Sequence, residues 1–501
     1  MTETGPMFSL TLNRRSAISL TDQIHDAVRD AIRTGTLAKL TRLPSTQDLS
    51  AQLGVARGTV RRAYDRLIDD QLIVSKGAAG TWVADAPAPR PSPRPASESE
   101  MTETPPGLFH PFDAPPAIFQ MGVPAQDIFP FKQWSRIRIR ATRAETLSPL
   151  NYPDPCGNAR LRHEIAAYLA ISRGVRCSVD QIFVTSGFTG ALGMALQALS
   201  LSGAEVWCED PGFPKTLTAL QLAGLTVRPI PVDAAGLNVA AAKMVAGNAA
   251  LAVVTPGQQA PLGMTMSLER RRDLLTWAEE RGAWIIEDDY VGELQLRGRA
   301  APALAAQDTS GRVLHIGTFS KTISPALRLG FLVVPPALAA PVGEIADHLS
   351  PAPNGAVQIA VADFMAGGHY LRHLRHMKRL YAARKALLAD TLARHLPANL
   401  SLGIDGALSI RLHLPDESDD VAMAQRALSH GLAPAVLSQW YQGAVVKKGL
   451  LLCVTNVHAK TVVRDCEKLL DIIMHETNTS SQQDGSRTWI ARMSLDLHGV
   501  S

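Results

Sequence analysis

Near the start of the chain, apolar positions recur at helical spacing. Leu20, Ile24, Val28 and Ile32 mark one face of an amphipathic helix that stops before Gly35. Ser45 with Asp48 three residues on has the form of a helix start, with Leu49 and Leu53 inward and Gly54 as the stop. A third helix is expected from Arg57 to about Asp69, with Val60, Tyr64 and Leu67 toward the core. Arg57, Arg61, Arg62 and Arg66 project elsewhere, and Asp65 is the only acid among them. Leu72 to Val83 then reads as a two-stranded wing with Gly77 to Gly80 at its tip.

The pattern is different between Gln181 and Val334, where short β-rich runs alternate with helical stretches. Candidate strands are Ile182–Thr185, Ala204–Cys208, Thr226–Ile230, Ala250–Val254, Ala283–Glu287, Arg312–Ile316 and Leu329–Val334. Such alternation predicts an α/β unit with a mainly parallel, seven-stranded sheet covered on both faces. In sheets of this kind ligands sit beyond the carboxyl ends of the strands. Between the two patterns, the run APAPRPSPRPASESEMTETPP has almost no large apolar residue to offset its ordering entropy. The expected organisation is therefore a small head over 1–83, a Pro-rich linker over 84–116, a large unit over 117–477 and a polar tail over 478–501.

Composition changes this picture little. With 46% hydrophobic and 19% charged residues the chain can bury a large core. Lys plus Arg number 50 against 46 for Asp plus Glu, so any signal for a polyanionic partner has to be local. The five cysteines are widely spread with no CxxC pair, which predicts a reduced compartment and neither a zinc site nor a disulfide framework. The longest apolar stretch, Gly330 to Gly343, is too short for a bilayer and is broken by Pro335 and Pro336. With no signal-like N-terminal pattern, a cytoplasmic protein without a membrane partner is the expectation.

Chemistry concentrates in two places. In the head, two helices joined by a short glycine turn, the second one basic, suit the major groove of double-stranded DNA. Arginine serves both phosphates and guanine edges because its planar fork donates two hydrogen bonds together. A small helical domain with a solvated basic face is the plainer alternative. In the large unit, unusual residues follow the strand ends in order. They are Ser186-Gly187-Phe188-Thr189-Gly190, Asp210-Pro211-Gly212-Phe213, Glu287-Asp288-Asp289-Tyr290, and Thr318-Phe319-Ser320-Lys321 with Arg328 beyond. Taken singly, the lysine could be solvated, the acids a metal site or charged turn, and Phe213 part of the core. Together they can hold a phosphorylated pyridine aldehyde, with lysine as the Schiff-base amine and a carboxylate keeping the ring nitrogen protonated.

Both regions resemble known families. RLPSTQDLSAQLGVARGTVRRAYDRL, followed by GTWVA, resembles the GntR winged helix-turn-helix regulators. That resemblance places Arg42, Ser45, Thr46, Arg57, Thr59, Arg61 and Arg62 at a DNA surface, with Ala56 standing where the family often has a capping serine. Tyr152-Pro-Asp-Pro-Cys-Gly157, EDPGFP, EDDY and TFSKTISPALRLGFLVVP resemble fold-type I aminotransferases, specifically the MocR (GabR-like) regulators. The resemblance implies pyridoxal 5'-phosphate, with Lys321 as Schiff-base lysine, Asp288 on the pyridine nitrogen, Tyr290 on the 3' oxygen and Phe213 stacked on the ring. It further implies a phosphate held by Gly187, Phe188, Thr189, Thr318, Ser320 and Arg328, Tyr152 reaching in from a neighbouring subunit, and a head-to-tail, domain-swapped homodimer.

Three departures bear on chemistry. The loop Gln259-Ala260-Pro261-Leu262-Gly263 lacks the enzymes' Asn before Pro-Thr-Gly, Gln258 and Ala260 replace the regulators' His and aromatic, and Asn456 stands where some relatives place an arginine for a substrate carboxylate. The expected function is a cofactor-dependent transcription regulator that senses a small amino-compound effector or the cofactor itself, with transamination absent or slow. The alternative is a working aminotransferase carrying an accessory DNA-binding head.

Overall fold

A computed structural model describes residues 10–85 except 15 and 17, 115–147, and 152–475 except 297, 299 and 407. Most of the expected linker, and the polar tail over 478–501, lie outside the described residues. The chain divides into two units, Met1–Thr104 and Pro105–Ser501.

The head contains α1 (Leu20–Arg33), β1 (Arg42–Leu43), α2 (Thr46–Leu53), α3 (Arg57–Asp69), β2 (Ile73–Ser75) and β3 (Thr81–Val83). Of the positions the periodicity selects, Ile24, Val28, Leu49, Val60, Tyr64 and Leu67 are buried together, Ile32 and Leu53 pack against them half-buried, and Leu20 stays outside this core. Local chemistry sets the helix ends. The Ser45 hydroxyl accepts from the Asp48 N–H at 3.1 Å and donates to the Asp48 carboxylate at 2.7 Å, opening α2. Gly54, at φ 62°, ends it in the left-handed conformation. At α3 the N-cap is Ala56, which supplies no side-chain acceptor. The wing differs from the expected two strands. β2 and β3 pair antiparallel, and β1 adds a third strand, with Arg42 opposite Trp82. Two residues cannot show an alternation, so β1 left no signal in the sequence.

The large unit opens with α4 (Phe131–Thr146) and α5 (Ala159–Ser172). The segment that follows carries β4 (Ile182–Thr185), α6 (Phe188–Leu199), β5 (Glu205–Asp210), α7 (Pro214–Leu222), β6 (Thr226–Asp233) and β7 (Gly236–Leu237). Next come α8 (Val239–Ala246), β8 (Leu251–Val254), α9 (Leu268–Arg281), β9 (Trp284–Asp289), β10 (Val313–Thr318) and β11 (Gly330–Val333). The sheet runs β4-β11-β10-β9-β8-β5-β6-β7, with β11 antiparallel to both neighbours. All seven expected strands are present. The eighth, β7, is a two-residue return pairing antiparallel with β6 at the sheet edge, again too short to be read from a pattern.

Buried side chains pack against both faces of this sheet. Leu192, Leu196, Leu220 and Val342 lie with Val206 and Leu332, while Leu274 and Trp277 cover Ala252 and Ile285. Trp207 and Trp277 stack at 3.8 Å between ring centres. The rest of the unit is α10 (Pro336–His348), α11 (Gly355–Ala366), the long α12 (His369–His395), β12 (Ser401–Gly403), β13 (Ser409–His413), α13 (Asp420–Ser429), β14 (Ala435–Val436), β15 (Gly449–Cys453) and a helix over 462–475. Strands β12, β13, β15 and β14 form a second, antiparallel sheet that the sequence reading did not anticipate. Two of its four strands have three residues or fewer.

Ala56→Ser should supply the missing cap of α3. The expected gain is about 1 kcal/mol, read as roughly fivefold slower hydrogen exchange at the first amides of α3. Unchanged exchange would mean that the helix start is held by other means.

Candidate functional site

Strand β9 ends in three acids, and the pleat sorts them. Glu287 and Asp289 share one face and Asp288 takes the other. On the first face His315, opposite Glu287 in the β9–β10 register, places Nδ1 3.0 Å from a Glu287 carboxylate oxygen and Nε2 3.9 Å from Asp289. Glu287 also accepts from the N–H groups of Leu304 at 2.6 Å and Ala305 at 3.0 Å. Arg173, just past α5, grips Asp289 with Nε at 2.6 Å and Nη2 at 3.1 Å and donates Nη1 to the Ala301 carbonyl at 2.6 Å. All four side chains are buried. Burial alone would raise the Glu287 carboxyl, but the hydrogen bond and charge of His315 overcome it and hold it at about 2. Burial likewise opposes charge on His315, and the same pairing lifts it above its ordinary value. The sequence shows Glu287 and Asp289 as part of an acid cluster. Only the fold shows that both are already neutralised. Among the described residues no group of His, Cys, Asp and Glu is arranged to hold a metal ion.

Asp288 faces the crevice and is different in kind. It is buried, and its Oδ1 has no hydrogen-bond partner among the described residues. Burial, then the neighbouring charge of Asp289, pushes its carboxyl up to about 8 against the pull of the Lys321 ammonium. Lys321, on the turn after β10, donates Nζ to the Gly122 carbonyl at 3.0 Å. Burial lowers the Lys321 pKa, with Cys453 and Asp288 opposing the shift and Lys215 adding to it. Burial and the charge of Asp288 raise the phenol of Tyr290, the residue after β9.

Beside these groups lies a corner lined by hydrogen-bond donors. Gly187, at φ 81°, starts α6 without a side-chain cap, so the first N–H groups of that helix, from Phe188 and Thr189, open toward the crevice. Arg328 donates Nη2 to the Thr189 hydroxyl at 3.0 Å. Thr318 donates to the Ser320 hydroxyl at 3.0 Å and accepts from the Ser320 N–H at 3.2 Å. The corner closes because Gly330 leaves room. A Cβ there would lie 2.8 Å from the Gly317 carbonyl oxygen and 3.0 Å from the Gly187 Cα.

The aromatic wall uses the second sheet. Phe213, at the N-cap of α7, sits 6.1 Å from the Phe188 ring and 5.7 Å from Trp440, which follows β14. The Gly212 N–H donates to the Trp440 carbonyl at 2.9 Å. Asp210 accepts from the N–H groups of Gln442 at 2.8 Å and Gly443 at 3.2 Å, fastening this segment over the end of β5. Trp440 carried no sequence signal, because nothing local places it within reach of Phe213. Asn456, after β15, is buried rather than at the surface, and its Nδ2 has no partner among the described residues. The guanidinium beside it, that of Arg384, is occupied by the Thr455 carbonyl and Asp127. Tyr152 is 97% exposed in the single chain. Sequence-predicted Lys321, Asp288, Tyr290, Phe213, Gly187, Phe188, Thr189, Thr318, Ser320 and Arg328 thus gather at one end of the sheet, and Tyr152 does not join them within this chain.

In the head, Arg42, Arg57, Arg61 and Arg62 are exposed, Thr46 and Thr59 are half-buried, and the Ser45 hydroxyl is engaged in the α2 cap. Arg66, on the same helix, pairs instead with Asp22.

Comparison with known proteins agrees with both units. Residues 125–430 match the family model "Aminotransferase class I and II", and residues 20–83 match "Bacterial regulatory proteins, gntR family". The chain is 34% identical to the probable rhizopine catabolism regulatory protein MocR of Rhizobium meliloti over 90% of this chain and 93% of that one. It belongs to the MocR-type regulators, GntR heads joined to an aminotransferase fold. The pyridoxine biosynthesis regulator PdxR of Corynebacterium glutamicum is 31% identical over 88% of this chain and 93% of its own. Among solved structures, the kynurenine aminotransferase of Pyrococcus horikoshii, in complex with PMP, superposes with a TM-score of 0.65 at 26% identity. That match covers 71% of this chain and 90% of the enzyme.

Within this MocR-type chain the unusual loop after β8 has a structural explanation. Gln259 is buried, donating to the Pro211 carbonyl at 2.7 Å and accepting from the Leu262 N–H at 2.9 Å. Its neighbour Glu209 takes the Thr255 hydroxyl at 2.5 Å and is raised by burial to about 7. Gln259 therefore ties the ends of β5 and β8 together, while the adjacent Gln258 has a buried Oε1 without a partner among the described residues.

Removing Arg173 should leave Asp289 buried without its guanidinium partner, with the His315 ring 3.9 Å away. Arg173→Ala is expected to cost about 3–5 kcal/mol of stability, measured from the urea midpoint. The Glu287–His315 pair also sets a pH window. Glu287, lowered from 4.5, contributes above that pH and loses its effect as pH falls toward about 2. His315, raised from 6.5, contributes below that pH and loses its effect as pH rises through its elevated value. Stability against pH should flatten on both limbs in Glu287→Gln, and an unaltered profile would mean that the pair is not ionised as drawn.

Proposed function

We propose that this chain is a cytoplasmic, homodimeric transcription regulator that binds pyridoxal 5'-phosphate at Lys321 and couples the arrival of a small amino compound there to operator binding by its head. One observation carries the reading: a buried carboxylate oxygen, Asp288 Oδ1, without a partner, facing a crevice that also holds Lys321 and ends in the Gly187–Arg328 corner. A protonated ring nitrogen would satisfy that oxygen, and a phosphate would satisfy the open N–H groups of α6. The residues present therefore fit the group. Regulators similar over most of the chain support this over an aminotransferase with an accessory head.

The roles follow from chemistry. Asp288 would hold the ring nitrogen as a charge-assisted pair, Tyr290 the 3' oxygen, and Phe213 one face of the ring. Gly187, Phe188, Thr189, Thr318, Ser320 and Arg328 would hold the phosphate. When bound, the cofactor supplies an aldehyde that condenses with primary amines. Lys321 supplies the resident amine, and its pKa, lowered by burial, favours the neutral nucleophilic form. With the cofactor bound, an incoming amino compound would compete with the Lys321 amine for it. Asn456, if it occupies the position of a carboxylate-binding arginine, would offer only a neutral donor where an arginine would orient a substrate for proton removal. Loss of two charge-assisted bonds, each about 1.5–3 kcal/mol, leaves binding possible and turnover slow. Tyr152, exposed in the single chain, would act in a second copy of the chain within a head-to-tail dimer. In the head, Arg57, Arg61 and Arg62 would read base edges and phosphates of double-stranded DNA, with Arg42, Ser45, Thr46 and Thr59 fixing the backbone.

The test is borohydride reduction of the purified protein followed by peptide mapping. A reduced adduct is expected on Lys321 and absent in Lys321→Ala, and an adduct that persists in the variant would place the amine elsewhere. Asp288→Asn should weaken cofactor retention about tenfold or more, the range for a hydrogen bond to a charged group. A panel of amino compounds should shift the visible spectrum and change DNA affinity together. Rapid, complete conversion to the amine form of the cofactor would instead favour an enzyme. A response to the cofactor alone would make the cofactor the effector. Arg57→Ala should lower specific DNA affinity by about 1–3 kcal/mol without altering that spectrum.

A further inference from the structure

The large unit carries a charged surface that the cofactor site does not use. On α4, Lys132, Arg136, Arg140 and Arg143 repeat once per turn and are all exposed, while Ile137 and Ala141 are buried. The one acid of this helix, Glu145, is turned away, accepting from the Ala356 N–H of α11 at 2.8 Å. On α12, Arg372 and Arg375 are exposed beside the buried His373 and Leu374, and the helix has no acid before Asp390. The two rows meet. Gln133 Nε2 lies 3.0 Å from His369 Nε2, and Arg372 reaches back to His369 Nδ1 at 3.4 Å. Gln133, Arg136, Ile139 and Arg140 line one shallow groove of about 440 Å³, so the α4 row opens on the side that touches α12.

The charges on this face are unanswered and lie in a row. Some arginines elsewhere on the surface are ion-paired, as in Arg29–Asp26, Arg160–Asp363 and Arg228–Glu205. None of the six cations on this face forms an ion pair among the described residues. The chain as a whole is only +4, so the cluster is a local concentration rather than a reflection of overall charge. A row of unpaired cations at helical-turn spacing, about 5.4 Å, matches a regular polyanion. It is a poor match for a second copy of itself, because a two-fold contact would set like charges against each other.

Resting on the reading of this chain as a DNA-binding regulator, we propose that the α4–α12 face is a second duplex-DNA surface. It would engage phosphates of DNA outside the segment read by the head and carry no base specificity. Tethering gives it a high effective concentration of DNA once the head has bound, so weak individual contacts suffice. An amino compound acting at Lys321 would then have a DNA contact on its own unit to modulate.

The test uses the full-length protein and a mixed-sequence 60-bp duplex, with affinity measured across a salt series. Each phosphate contact contributes about −0.9 to the slope of log affinity against log salt, so R136Q/R140Q/R372Q/R375Q should make the slope shallower by about 3–4. The lysine version at the same four positions should keep the wild-type slope, because phosphate contacts need charge rather than a fork. R57A/R61A in the head should shift the slope independently, and the two sets of changes should add. Circular dichroism and the Lys321 adduct check that each variant is folded. If the quadruple variant misfolds, R136Q/R140Q and R372Q/R375Q are measured separately, each expected to remove about 2 from the slope. An unchanged slope in the glutamine variants overturns the proposal while leaving the regulator reading intact. A fall to monomers on size exclusion would also overturn it, making the face a subunit interface. Failure of the wild type to bind the duplex at all would sink both.

Discussion

Three adjacent carboxylates at the end of a buried strand would repel one another strongly if they shared a face, since water is not there to screen them. The pleat of β9 prevents this by sending Asp288 one way and Glu287 and Asp289 the other. The second pair is then answered in full. His315 and two backbone N–H groups neutralise Glu287, and the fork of Arg173 neutralises Asp289. What remains is Asp288, pushed up to about 8, with an oxygen that has no partner among the described residues. Every other feature of the site is arranged around that asymmetry, because an acid with satisfied partners would offer nothing to a ligand.

The crevice is also a junction between two sheets. The main sheet supplies the strand ends that carry Asp288, Lys321 and the Gly187 turn. The second sheet brings Trp440 against Phe213 and Cys453 near Lys321. The Asp210 carboxylate, accepting from two main-chain N–H groups, and the Gly212 N–H, donating to the Trp440 carbonyl, hold the two together. Bonds to a charged acceptor of this kind are worth about 1.5–3 kcal/mol each, so the position of the second sheet over the crevice is well specified.

The basic face on α4 and α12 has a similar logic at larger scale. Net charge is nearly balanced over the chain, yet unpaired cations gather on a face remote in sequence from the head. Balanced totals keep non-specific attraction weak at long range, while a local row acts only at contact, within a Debye length of about 8–10 Å. A regulator with its affinity divided between a reading head and a non-reading body can change occupancy by altering either part.

Much of this was legible in the sequence, and for identifiable reasons. Helical and strand periods were strong in α1, α3 and the seven principal strands, because each element buries one regular stripe or a continuous apolar run. The cofactor-type residues were visible because they follow strand ends in order, and Lys321, Asp288 and Arg328 are types that rarely stand there without purpose. The two-residue strands β1 and β7 were not legible, since a period needs length to declare itself, and neither was the second sheet, β12 to β15, although β13 and β15 have five residues each. Nor were the partners of the acids. That His315 faces Glu287 depends on the β9–β10 register, and that Arg173 reaches Asp289 depends on the packing of α5 at 116 residues' distance in sequence. The sequence by itself determined which residues carry charge and which segments fold. Only the tertiary structure decided which of those charges are cancelled, because cancellation is a matter of a few ångströms between chain segments that nothing local brings together.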